Sequence, residues 1–133
     1  MSFAIEENNK STEISQSNIR PPVPRPPVPK KYEEGMHVIL TGAGGPWSVK
    51  EEGGASVAVI IDGKILQFDM GLKSLERLTK AGINPRSIDY LFFTHLHGDH
   101  ISDFPFYSFV YGFNNNDVKI FGPPGTNSLI DAS

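Results

Sequence analysis

Between Met1 and about Glu34, apolar residues are scattered among Asn, Ser, Glu and Pro, too few to build a core. Residues 1–34 therefore read as a disordered tail. Order is expected to begin near Met36. There His37-Val38-Ile39-Leu40 is a short β-rich run, closed by Thr41-Gly42-Ala43-Gly44-Gly45-Pro46, whose proline ends any strand. Ala55 to Ile61 and Lys64 to Asp69 flank Asp62-Gly63, the strongest hairpin signal in the chain, and predict an antiparallel pair. Leu72, Leu75, Leu78 and Ala81 then recur at three-residue steps, with basic residues in the last turns and Gly82 as the stop. That spacing predicts an amphipathic helix. Asn84-Pro85 marks the turn out of it, and Ile88 to Thr94 reads as a buried strand.

From Asp99 the pattern is helical but mixed. Ile101, Phe104, Phe106, Phe109 and Val110 form an apolar surface interrupted by Pro105, which a helix starting at Asp99 or Ser102 would hold in its first turns at little cost. The cluster reads as core, with Tyr107 and Tyr111 able to line a pocket mouth. Asn114 to Asp117 is a loop, Val118 to Phe121 a strand, and Gly122 to Thr126 a turn into a short helix. That turn lacks the lysine of a phosphate-binding loop. The glycines at 42–45 lack the following helix of a dinucleotide fold. The fold class is α/β.

Composition narrows this picture only modestly. At 133 residues the expectation is one domain, spanning 35–133, behind the tail. A net charge of −3 makes no electrostatic case for nucleic acid. With no cysteine, disulfide and thiolate chemistry are excluded. No run is apolar enough to span a bilayer and no secretory signal is visible, so the default location is the cytoplasm. Arg20 to Lys31 should be a stiff polyproline II segment. It contains Pro26-x-x-Pro29-x-Lys31, which an SH3-type groove could accept, although a plain spacer is the weightier reading.

The chemistry is concentrated in Thr94-His95-Leu96-His97-Gly98-Asp99-His100, which holds three of the four histidines. If a strand delivers His95 and His97, residues two apart point the same way and both imidazoles can reach one ion. Gly98 lets the backbone turn, so that Asp99 and His100 face the pocket from the other side. Imidazole with carboxylate suits zinc, with iron or manganese as alternatives. His37, standing alone, reads as an ordinary hydrogen-bonded residue.

The string His-x-His-x-Asp-His after an apolar strand resembles the signature of the metallo-β-lactamase-fold hydrolases. Ala81-Gly82-Ile83-Asn84-Pro85 and His97-Gly98-Asp99-His100 are closest to the RNase Z and arylsulfatase-like branch. The resemblance implies the N-terminal half of an αββα sandwich, a pair of zinc ions and a metal-activated water or hydroxide that attacks an ester-type bond: phosphodiester, sulfate ester, lactone or ester. It places His95 and His97 on one ion and Asp99 and His100 on the other, with Asp99 also orienting the nucleophile or taking its proton. Asp69, in Phe68-Asp69-Met70-Gly71, would orient an imidazole rather than bind metal. The acidic pair Glu51-Glu52 following Trp47 to Lys50 favours a small-molecule substrate over nucleic acid. No histidine follows His100. The remaining ligands of such a site cannot be assigned, and the chain by itself is expected to be poorly folded or inactive, or to work with a partner.

Overall fold

Alternation across the strands decides how this chain packs. The structure, a computed structural model, describes residues 24–46, 51–111 and 118–133. In it β1 (Met36–Gly42), β2 (Ser56–Ile61), β3 (Lys64–Phe68), β4 (Ile88–Phe92) and β5 (Lys119–Phe121) form one sheet in the order β1-β2-β3-β4-β5. The first three strands pair antiparallel and the last three parallel. The predicted hairpin is present, with Asp62 at φ 46° and Gly63 at φ 79°, the two positive values that a tight primed turn requires.

The parallel pairs need crossovers. Helix α1 (Ser74–Lys80) joins β3 to β4, and α2 (Gly98–Ile101) with α3 (Phe104–Tyr111) lies between β4 and β5; α4 (Thr126–Asp131) follows β5. One sheet face, bearing Ala58, Ile60, Ile65, Leu91 and Ile120, forms the core with Leu75 and Leu78 of α1 and with Phe104 and Tyr107 of α3.

Several expected boundaries shift for physical reasons. Helix α1 starts at Ser74 rather than Leu72, because Lys73 is left-handed (φ 68°); Leu72 is exposed and leaves the buried stripe. Gly82 ends the helix with φ 81° as expected. The single helix expected from Asp99 is two, separated where the Asp103 side chain turns away to accept from Leu75 N and Ser74 Oγ at the start of α1. Pro105 does fall in the first turn of α3. Tyr107 lines no pocket mouth, being fully buried, whereas Phe106 is exposed.

The other sheet face is apolar as well, and half open. Across the strands run Leu40, Val57, Phe68, Phe92 and Phe121, and beside them Val38, Val59, Leu66 and Tyr90. The rings of Phe68, Phe92 and Phe121 stack at centroid spacings of 5.0 and 5.1 Å. Val38 and Leu40 keep about two-thirds of their surface exposed, 66% and 64%. Among the described residues, helices cover this five-stranded sheet on one side and the aromatic row lies on the other, one layer short of a two-sided α/β arrangement.

Residues 1–23, and with them the first part of the expected tail, lie outside the described residues. From Pro24 onward the segment is packed, so order begins earlier than Met36. Arg25 donates to Asp89 Oδ2 at 2.7 Å and to Ser87 O at 2.9 Å, Ser87 Oγ donates to Pro26 O, and Tyr32 is buried. These long-range partners have no local signal. The Pro26-to-Lys31 motif is thus laid along the domain, and an SH3-type partner gains no support from it. His37 bonds Glu34 O at 2.8 Å through Nε2, in keeping with its ordinary reading. Among the described residues no helix is long and apolar enough to cross a membrane.

Candidate functional site

Strand β4 stops at Phe92, two residues short of the expected end, so His95 and His97 sit on the loop beyond it rather than on the strand. The cause is Asp69. Its Oδ1 accepts the Thr94 backbone N–H at 2.8 Å and its Oδ2 accepts the Thr94 hydroxyl at 2.7 Å, taking the chain out of the ladder. Asp69 itself is buried and left-handed (φ 57°), immediately past the end of β3. Its position is set from below by a buried polar network. Gln67 Nε2 donates to Asp69 O at 2.9 Å and to Ser56 Oγ at 2.6 Å, and Ser56 Oγ meets Thr41 Oγ1 at 2.6 Å.

The loop brings the predicted residues together. The His95 ring lies edge-on to His97 at 4.6 Å between centroids and 3.8 Å from His100. His100, next to Asp99 at the start of α2, sets Nδ1 2.7 Å from Asp69 Oδ2 and Nε2 3.4 Å from Asp99 Oδ2. Asp69 accepts, so His100 Nδ1 carries a hydrogen. Nε2 then faces Asp99 lone pair to lone pair, an arrangement that a shared proton or a cation would satisfy. His97 is exposed, and His95, Asp99 and His100 are half-buried.

Backbone packing holds this arrangement in place. Met70 N donates to His100 O at 2.7 Å and Asp103 N to Met70 O at 3.0 Å, while the Asp99 carbonyl rests against Gly54 and Gly71. A Cβ on Gly54 would lie 2.5 Å from that carbonyl oxygen, so only glycine allows the approach. Among the described residues, no three His, Cys, Asp or Glu side chains converge closely enough to cage an ion unaided. The site is a gathered set of ring nitrogens and carboxylates on the loop between β4 and α2 and at the start of α2.

Sequence reasoning missed Thr94, Gln67, Ser56 and the pair Gly54 and Gly71. A signal for Gln67 existed: it is the polar residue at an inward position of β3, two before Asp69. The glycine-to-carbonyl contacts had none.

Residues 36–128 match the family described as Anti-Pycsar protein Apyc1. The chain belongs to that family. It also resembles proteins named Ribonuclease Z, at 35% identity over 96 residues in Methanothermobacter thermautotrophicus and 33% over 100 residues in Methanocaldococcus jannaschii. These alignments take in 71% and 74% of this chain but only 31% and 32% of the relatives, so the chain spans about a third of their length. The short form of human tRNase Z superposes with a TM-score of 0.65 at 27% identity, covering 71% of this chain and 37% of that one. A metallo-β-lactamase-fold protein of Bacillus subtilis gives 0.64 at 21% identity, over 73% of this chain and 40% of that one. The fold is therefore the metallo-β-lactamase fold, of the RNase Z-like kind, present here in part. The expected preference for a small molecule over nucleic acid finds no support in relatives named for RNA or transfer RNA.

Proposed function

We propose that the chain is the N-terminal part of a metal-dependent hydrolase, in which His95, His97, Asp99 and His100 are metal ligands. The observation that carries this is the meeting of His100 Nε2 and Asp99 Oδ2 at 3.4 Å while His100 Nδ1 is committed to Asp69. Imidazole nitrogens with a carboxylate suit two zinc ions, with iron or manganese as alternatives. When bound, such ions lower the pKa of water and polarise the scissile group. Asp99, half-buried beside His100, takes the proton that the attacking water gives up. Asp69 keeps His100 in the orientation that turns Nε2 towards Asp99. The bond cleaved is of ester type, with a phosphodiester ahead of sulfate ester, lactone or carboxylic ester because the relatives are named ribonuclease Z and tRNase Z.

The open aromatic sheet face supports the half-sandwich reading. A second sheet packed about 10 Å away would cover it and bring the remaining ligands over the loop. The test is made on the protein isolated from its own source. A mass well above that of 133 residues, bound zinc by elemental analysis, and cleavage of a simple phosphodiester that stops on chelation and returns with zinc are expected. His97→Ala and Asp99→Asn should each remove the cleavage and lower the metal content. A protein that holds no metal after purification without chelator, yet still cleaves, would overturn the assignment.

A further inference from the structure

We infer that Thr94 is a positioning residue that passes the influence of Asp69 to His95 and determines which nitrogen of that ring is bare. The inference deepens the metal-site reading above and rests on it. Thr94 Oγ1 lies 2.7 Å from Asp69 Oδ2 and 3.0 Å from His95 Nδ1. A hydroxyl has one proton and two lone pairs, and a carboxylate oxygen only accepts. The proton is therefore on the Asp69 side, and Oγ1 offers His95 a lone pair. His95 Nδ1 must carry a hydrogen to complete the bond, which leaves Nε2 bare. His100 reaches the same state directly, by donating from Nδ1 to the same Asp69 oxygen at 2.7 Å.

One carboxylate oxygen thus sets two imidazoles, one by contact and the other through a hydroxyl. The geometry has little slack, since Thr94 N also donates to Asp69 Oδ1 at 2.8 Å and pins the residue at two points. The opposite tautomer of His95 would place a hydrogen on Nε2 and close that nitrogen to any ligand role. Valine at 94 keeps the branched shape but loses the hydroxyl. Serine loses the methyl but keeps the relay.

The test is nitrogen-15 spectroscopy of His95 and His100 in the metal-free full-length protein, with zinc affinity measured separately by competition titration. In the parent protein and in Thr94→Ser, both rings should show Nδ1 protonated, with Nε2 of His95 bare. In Thr94→Val, His95 should shift towards Nε2–H while His100 is unchanged, and zinc affinity should fall roughly tenfold or more. An unchanged His95 in Thr94→Val, or a Thr94→Ser protein that behaves like it, would overturn the relay. So would loss of the His100 signature together with that of His95, which would mark a purely structural role. If the tautomers respond as expected but the parent protein binds no zinc, the metal-site reading fails and the relay stands.

Discussion

The backbone carbonyl of Asp99 occupies the space where a side chain on Gly71 would begin. Gly71 follows the Asp69-Met70 pair, and its N–H is tied to Ala55 O at 3.1 Å, so it cannot retreat without disturbing β2. Gly71→Ala should therefore displace the His97–His100 loop. The expected cost is about 1–3 kcal/mol in urea unfolding of the full-length protein, with weaker zinc binding. A variant with unchanged stability and affinity would mean that the loop can move aside freely.

Asp69→Asn removes the acceptor shared by Thr94 and His100. The amide has only one acceptor oxygen for the three donors that the carboxylate serves, and its NH2 group faces donors. Zinc affinity should fall about 10–100-fold, and stability by about 1–3 kcal/mol. Competition titration and denaturant unfolding read the two effects separately.

Phe92 is at the centre of the open aromatic row, stacked between Phe68 and Phe121. Placing a charge there tests whether a second sheet covers it. Phe92→Lys should destabilise the full-length protein by roughly 3 kcal/mol or more, because an unpaired charge would be buried. In the 133-residue chain alone the same change should cost much less and should reduce self-association, seen by light scattering. Equal costs in the two settings would argue that the face stays open.

Tyr107 is fully buried, and its hydroxyl has no hydrogen-bond partner among the described residues. Burial pushes its pKa well above the usual tyrosine value, with smaller contributions from Tyr111 and Asp89. Above about pH 10 the unfolded chain loses a proton that the folded chain keeps, so stability should fall as pH rises from there. Below that pH both states hold the proton and the group adds no slope. Tyr107→Phe should remove this alkaline loss and leave stability at neutral pH the same or about 1 kcal/mol higher, since an unsatisfied hydroxyl is deleted. Chemical denaturation at pH 7 and pH 10.5 gives both results.

What the sequence determined by itself was local. The hairpin at Asp62-Gly63, the stop at Gly82 and the clustering of His95, His97, Asp99 and His100 follow from backbone sterics and short spacings, which need no knowledge of distant residues. The tertiary structure decided everything that depends on register between elements. Thr94 and Asp69 are 25 residues apart and His100 and Asp69 31, yet their bonds end β4 early and orient the ring that faces Asp99. Arg25 reaches Asp89 across 64 residues and turns the end of an expected free tail into a packed strap. Asp103 breaks one expected helix in two because it caps another. The approach of Asp99 to Gly54 and Gly71 likewise exists only once sheet and loop are assembled. Side-chain bonds over such separations are set by the folded packing as a whole, and neither residue type nor local period encodes them.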